Sequence, residues 1–508
     1  MRKVMLFTRL VSTVLKDPRI AKFRKMLADA PNYEVWKAAA LELDFLEGNA
    51  EWKEDFASDL YHYEVIYDRL SNLKQYRQQN DVERLKRALR EGLHHDLGNM
   101  GNPALYTRSR VGTKHLIEEY ITQVCEALDY LCDQPVPGFP VADKLQFFRD
   151  TLTSYGRPAL LLSGGATLGV FHFGVIKALW EKGLLPQVIA GSSIGAIIAG
   201  ILGVHTDAEI PEMLIPENHN LKAWKWRGLL SAVRGDGLMD QEELRNCLRG
   251  NIGEYTFEEA YQRTGRSINV SVSPVQAHQK ARLLCGYTSP YLMVWSAVLA
   301  SAAVPGIFPP VTLMKKDIQG NTLPYMPRLK FVDGSVVSDL PIERLMHLYD
   351  VNYTIVSQTN PHVVPFLSQR GLDEKLSLGN LPMHLLKSEI QFHGQGVFDY
   401  LRKRVRPELL RQMSGQLYTI MAQRYSGDVT IAPSYSFKDY SRMLANPDPA
   451  YVRQMILAGE RETWPKISMI RSHARISKTL ERCVRRLKQQ NRRTAELRLI
   501  SNADSGTS

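Results

Sequence analysis

The chain has 508 residues, 44% of them hydrophobic and 23% charged, the make-up of a folded protein with room for about three domains, which excludes a wholly disordered or fibrous chain. The formal net charge of +11 allows phosphate-rich surfaces, anionic membrane or nucleic acid, as non-specific partners and says nothing about fold. Five cysteines, far apart and without a CxxC pair or a histidine at zinc-finger spacing, argue against a disulfide framework and a zinc site and for a reducing compartment; no metal is expected, and separately no cofactor.

At the start of the chain Leu6, Phe7, Leu10, Val14 and Leu15 fall at helical spacing among Arg9, Lys16, Arg19, Lys22, Arg24 and Lys25. That suits an interfacial helix on anionic lipid and equally an amphipathic helix docked on its own domain. Arg9 interrupts the apolar run and no small-residue cleavage site follows, so no cleaved signal is expected. Helical spacing then continues through Tyr33, Trp36 and Ala40, through Tyr63, Ile66 and Leu70, and through Leu85, Leu89 and Leu93. The turn-rich run 97–103 interrupts it before a helix over Thr113 to Leu131, giving a helical N-terminal domain at 1–133. Gln134 to Pro140, with three prolines, opens a linker placed at 134–157.

From 158 to 361 short apolar runs alternate with helices: strands at Ala159 to Leu162, Val188 to Ala190, Ile268 to Val272, Leu329 to Val332 and Tyr353 to Ser357, with a helix over Gly169 to Glu181 and another after Ser193. Strands joined by crossover helices predict an α/β parallel sheet with covered faces. The uncharged stretch Val188 to Val204 is shorter than the ~20 apolar residues that span a bilayer, so no transmembrane helix is expected. A helix-rich extension follows at 362–470. Arg471, Arg475, Lys478, Arg482, Arg485, Arg486, Lys488, Arg492 and Arg493 then form a basic helix with Ile476, Leu480, Val484 and Leu487 on its apolar side, within 471–508, and the polar tail from Ser501 is expected to be disordered. Such a helix suits a membrane surface, though a solvated helical face or a nucleic-acid contact has the same charge pattern.

Three short motifs carry chemistry. Gly191-Ser192-Ser193-Ile194-Gly195 lies between a strand and an apolar helix, the setting of a nucleophile elbow in which glycines on either side, Gly191 and Gly195, let the backbone turn and project the Ser193 hydroxyl. Small residues in that pattern also mark close strand–helix packing. Ser163-Gly164-Gly165-Ala166-Thr167-Leu168-Gly169 follows one strand and opens a helix, so its N–H groups face an anion: the oxyanion of an acyl transfer, or a phosphate. The phosphate reading lacks a Walker lysine and a GxGxxG spacing, and a serine elbow one strand later favours the oxyanion. Phe331-Val332-Asp333-Gly334-Ser335 places an acid and a turn at a strand end, where Asp beside Gly is also an ordinary turn former.

Glycine loop, GxSxG and a later Asp-Gly in this order resemble the patatin-like phospholipases. The likeness widens through Gly98 to Tyr106, Gly112 to Tyr120, Trp295 to Pro310, Asp333 to Arg344, Ile355 to His362, Tyr425 to Pro433 and Trp464-Pro465-Lys466, which resemble the fungal and plant storage triacylglycerol lipase branch from about Tyr33 to Ile467. The resemblance implies a patatin-like core and a Ser–Asp dyad without histidine, with Ser193 as nucleophile, Asp333 as general base, the amides of Gly164, Gly165 and Ala166 as oxyanion hole, and Gly334 and Ser335 completing the acid motif. It also implies a lipid ester substrate met at a membrane or lipid-particle surface from the cytoplasmic side, with no nucleic acid expected. Ala166 and Leu168 stand where many plant patatins carry Gly and a basic residue.

A Ser–Asp–His triad is the alternative mechanism, with His347, His362 or His384 in the right chain order; His172, between Phe171 and Phe173, reads as a helix packed on the sheet. A non-catalytic lipid-binding scaffold and a lipid acyltransferase using the same serine are the alternative functions. The thirteen histidines contain no HxxxxD pattern for a separate acyltransferase site.

Overall fold

The computed structural model describes residues 17–227, 238–276, 279–334, 339–361, 363–364 and 426–505. The N-terminal helices form where the apolar spacing predicts them. Helices α1 (Tyr33–Leu46), α2 (Tyr63–Gln78), α3 (Val82–Gly92) and α4 (His115–Asp133) bury Trp36, Ala40, Ile66, Leu70, Leu85, Leu89, Tyr120, Val124 and Leu128. Capping side chains fix two of the starts: Asn32 accepts from the Val35 N–H and Asp81 from the Arg84 N–H.

The stretch 134–157, read from its prolines as a linker, instead contains helix α5 (Val141–Tyr155). Leu145, Phe148 and Leu152 recur at helical spacing, and burying them against the C-terminal helix outweighs the neighbouring Pro-rich turn.

The sheet follows the order β4-β3-β2-β1-β8-β9, with β1 (Arg157–Leu162), β2 (Val188–Gly191), β3 (Ser267–Pro274), β8 (Val351–Ser357) and β9 (Val429–Ile431) parallel and β4 (Arg282–Cys285) antiparallel on β3. Strands β5 (Met314–Lys316) and β6 (Thr322–Pro324) form a separate hairpin, and β7 (Phe331–Asp333) adds antiparallel to β3. The central strands are buried along almost their whole length, as a parallel sheet with covered faces requires. Helices α6 (Phe171–Glu181), α7 (Ile194–Val204), α8 (Val294–Ser301), α9 (Ile342–Tyr349) and α10 (Pro449–Thr463) provide the cover.

The last helix, α11 (Ile467–Ser505), docks on α4 and α5 of the same chain, and it continues past Ser501, where the polar tail was expected to be disordered. Ile476, Leu480, Val484 and Leu487 are buried in that contact. Arg475 bonds Thr122, Arg482 pairs with Asp129 and Arg486 with Asp133, so part of the basic face is matched by carboxylates of α4. Partly exposed pairs of this kind contribute little to stability, and it is the apolar stripe that holds the helix.

All five cysteines are free and buried. Among the described residues no helix is long and apolar enough to cross a membrane, and no group of three or more His, Cys, Asp and Glu could hold a metal ion.

Candidate active site

β2 ends at Gly191 and α7 begins at Ile194, so two serines make the whole turn. Ser193 is thereby forced to φ +52 and ψ −123, a conformation that costs about 1–3 kcal/mol for a residue with a Cβ. The turn closes this tightly because its flanks are glycine. A Cβ on Gly191 would lie 2.3 Å from the Gly195 carbonyl, and one on Gly195 would lie 2.1 Å from the Leu162 carbonyl oxygen. Packing on β1 and β3 holds the strain: Ser193 N–H donates to Ser301 Oγ at 3.1 Å, and Ser301 Oγ donates to the Ser271 carbonyl at 2.7 Å. Ser193 itself stays half-buried and lines a cavity.

Register brings Asp333 to the same end of the sheet. Gly191 is the last partner of β2 on β3, opposite Val270, and two residues further along β3 Val272 pairs with Asp333. Val272 also pairs with Arg282 of β4, so β7 must lie on the other side of β3, on the edge that β2 vacates. Asp333 therefore follows directly after the elbow along that edge. It is fully buried, and its N–H donates to the Ala303 carbonyl at 3.0 Å. Gly334 presses on β3, since a Cβ there would come within 2.4 Å of the Ser271 carbonyl. Ser335 lies outside the described residues.

The glycine loop needs a correction. The Gly164 N–H does not face an open anion site: it donates to Asp339 Oδ1 at 3.0 Å. Gly165 and Ala166 differ, because among the described residues their amides have no acceptor, and both stand at the start of the 3₁₀ turn Ala166–Val170. Ala166 sits at φ +51 and lines the same cavity as Ser193. The amide of Ile194 opens α7 next to Ser193 and likewise has no acceptor among the described residues. Sequence reading passed over it, although the residue after an elbow nucleophile is a common oxyanion donor.

Asp339 is the larger omission. It is fully buried and accepts from Gly164 N–H in the glycine loop, Ser192 Oγ in the elbow and Asn360 Nδ2 beyond β8. Burial pushes its carboxyl up to about 6, against the lowering effect of those hydrogen bonds. Its sequence signal was an acid between Val336-Val337 and Leu340-Pro341, where an apolar run implies burial. Ser163 and Thr359 add to the same junction: Thr359 N–H donates to Ser163 Oγ at 2.8 Å, and Thr359 Oγ1 donates to the Gly164 carbonyl at 3.0 Å.

Among the described residues none of the histidines considered for a role beside Ser193 lines its cavity. His172 is fully buried on α6 with Nδ1 2.7 Å from Ser357 Oγ and Nε2 3.0 Å from the Ser163 carbonyl, and burial holds it down at about 4. His347 is exposed on α9, and His362 and His384 lie outside the described residues.

From Ser193 an apolar cavity with about 930 Å³ of empty space, its mouth included, runs along α7. Ile194, Ile197, Ile198 and Ile201, at i, i+3, i+4 and i+7, form one wall, and Phe173, Leu244 and Phe308 lie among the other lining residues. At 1.5 Å per residue the stripe extends about 12 Å from the serine. Trp224 and Leu444 also line the cavity; Trp224 Nε1 donates to Thr167 Oγ1 at 3.0 Å, which places it beside the glycine loop. A strained serine, a buried acid next along the same edge of β3, backbone donors without an acceptor among the described residues and an apolar trough are together suited to acyl transfer from an ester with a long aliphatic chain.

Residues 160–346 match the family model of the patatin-like phospholipases, and residues 13–153 match a domain of unknown function, DUF3336. Triacylglycerol lipase 4 of Saccharomyces cerevisiae is 35% identical, over 96% of this chain and 55% of that protein. Triacylglycerol lipase ptl2 of Schizosaccharomyces pombe is 34% identical, over 91% of this chain and 75% of that protein. A patatin-like phospholipase domain-containing protein of Aspergillus niger is 36% identical, over 90% of this chain and 64% of that protein. The chain thus spans 55%, 64% and 75% of the lengths of these curated relatives.

Proposed function

Because this chain belongs to the patatin-like phospholipase family, we propose that it is a serine lipid acyl hydrolase that cleaves carboxylic esters of acylglycerols or phospholipids through an acyl-enzyme. The observation that carries the reading is the strained Ser193 at the head of an apolar cavity, with Asp333 next along the same sheet edge. In the first half-reaction Asp333 takes the hydroxyl proton as Ser193 Oγ bonds the ester carbonyl carbon. The amides of Gly165 and Ala166, with that of Ile194, stabilise the tetrahedral oxyanion, and the Gly164 amide acts indirectly, through Asp339. The carbon–oxygen bond to the alcohol then breaks, and the alcohol leaves with the proton held by Asp333. In the second half Asp333 takes a proton from water, the hydroxide oxygen attacks the acyl carbon, and the fatty acid departs as Ser193 recovers its proton.

A carboxyl of ordinary pKa ~3.9 is a weak base towards a serine. Complete burial of Asp333 supports the assignment, because a site closed to bulk water leaves the carboxylate's charge unscreened towards the serine. Two of the relatives are named triacylglycerol lipases, which favours neutral acylglycerols as substrate.

Mass-spectrometric product analysis on mixed triacylglycerol emulsions and phospholipid vesicles tests this, together with labelling by a fluorophosphonate probe. Wild type should release fatty acid and label at Ser193, while Ser193→Ala and Asp333→Asn should do neither at measurable rate. Turnover retained by Ser193→Ala would remove the nucleophile, and an unlabelled, inactive but lipid-binding wild type would leave the scaffold reading.

A further inference from the structure

The basic residues of α11 are partly matched within the chain, whereas those beside the cavity mouth point outwards. The segment 220–227 reads Asn-Leu-Lys-Ala-Trp-Lys-Trp-Arg and alternates between two environments. Leu221, Ala223 and Trp224 are half-buried and line the cavity, while Lys222, Lys225, Trp226 and Arg227 are exposed. Trp226 is 59% exposed, which is unusual for so large an apolar side chain. The segment is held in place by Asn446, whose Oδ1 accepts from Ala223 N–H and Trp224 N–H at 2.9 and 2.8 Å and whose Nδ2 donates to the Trp224 carbonyl at 2.8 Å. The same turn presents Leu444, 41% exposed yet also lining the cavity, and Arg442 and Lys438 stand exposed before it. Among the described residues the carboxylate paired with this segment is Asp240, 3.8 Å from Lys225 and 3.9 Å from Arg227, with its side chain only 15% exposed, one acid against the three cations Lys222, Lys225 and Arg227.

We propose that this rim, Lys222, Lys225, Trp226 and Arg227 with the turn carrying Leu444, is the surface by which the protein seats on an anionic lipid layer. Two observations carry the proposal. The rim pairs an exposed tryptophan with cations, the combination that settles at the boundary between headgroups and acyl chains, where the ring enters and the cations meet phosphate. It is also continuous with the cavity mouth, so a protein seated here receives an acyl chain straight from the lipid layer along the α7 isoleucines. The proposal rests on the acyl hydrolase reading for its purpose and on charge and exposure for its chemistry.

The test uses the full chain and phosphatidylcholine vesicles with and without phosphatidylserine, read by co-sedimentation, alongside turnover of the soluble ester p-nitrophenyl butyrate. Wild type should partition onto phosphatidylserine vesicles and be released by salt. The combined Lys222→Gln, Lys225→Gln and Arg227→Gln variant should partition on the order of a hundredfold more weakly. Trp226→Ala should lose about tenfold. Both variants should hydrolyse the soluble ester at the wild-type rate, since none of these side chains lines the cavity, and that retained rate also reports an intact fold. Variants that sediment like wild type, or wild-type binding indifferent to phosphatidylserine and salt, would overturn the proposal. Vesicle binding by a wild type that hydrolyses no ester would instead overturn the hydrolase reading and leave the seating surface standing.

Discussion

Replacing Asp339 by Asn separates the two things that side chain does, accepting hydrogen bonds and carrying charge. Its carboxyl is held at about 6 rather than 3.8, chiefly by burial, so ionising it in the fold costs roughly 3 kcal/mol more than in the unfolded chain. A raised carboxyl pKa gives stability that is complete below the unfolded value and is lost as the pH rises through the folded value. Between about pH 4 and pH 7 wild type should therefore lose roughly 3 kcal/mol relative to Asp339→Asn, which has nothing to titrate there. Against this, the amide keeps an oxygen for Gly164 N–H and Ser192 Oγ but turns an NH₂ towards Asn360 Nδ2, a mismatch worth about 1–3 kcal/mol unless Asn360 flips. Urea unfolding of both proteins across that pH range measures the difference, and parallel stability curves would refute the account. Asp339→Ala deprives all three donors of their acceptor at about 1–3 kcal/mol each, and ester turnover should fall with the stability because the glycine loop and the elbow lose their common tether.

Ala166→Gly relieves a left-handed alanine and should raise stability by about 0.5–1 kcal/mol after the larger unfolded-state entropy of glycine is deducted; a lower urea midpoint would contradict the strain. Ile201→Trp, placed at the far end of the isoleucine stripe, should cut turnover of p-nitrophenyl palmitate about tenfold or more while sparing the butyrate, and an equal effect on both would show that the chain takes another path. His172 and His473 are held at about 4 by burial, so their neutral forms suit the fold above about pH 6.5, and stability should drain away as the pH falls from there towards 4. His473 lies 3.4 Å from His95, stacks on Tyr353 and carries up to roughly 3 kcal/mol of that acid sensitivity, so the stability of His473→Gln should vary less with pH than that of wild type, and a pH dependence unchanged by the substitution would contradict this.

Much of the site was legible because its signals are local. The elbow needs glycine within two residues of Ser193, and Gly191 and Gly195 are in place; the isoleucines of α7 announce an apolar face by spacing alone. What escaped notice depends on partners distant in sequence. The apolar run around Asp339 hints at burial, but its role is recognisable only once Gly164, Ser192 and Asn360 surround it, and the occupied Gly164 amide is invisible without it. The short strands β4 and β9 have three or four residues each and take their form from the edges they pair with. Helix α5 was hidden behind prolines because the apolar face that makes it worth forming is covered by α11, more than three hundred residues later.

The family match ends at residue 346, yet β1 lies between β2 and a β8 that only begins at Val351, and β9 follows at Val429. α10 closes over α6 so tightly that a Cβ on Gly174 would lie 1.9 Å from the Ile456 carbonyl oxygen. The segment that the family model matches and the unit that folds therefore differ in this chain, and the relatives, which align over 90% or more of it, carry the larger one. A gene fusion that carried off the matched segment alone would take the elbow and the acid strand but leave the central strand as a bare edge, open to pairing with its own copies. Shuffling among relatives should therefore succeed only when the strands and helix beyond residue 346 travel with it, together with Thr359, Asn360 and Leu444, which that stretch contributes to the site.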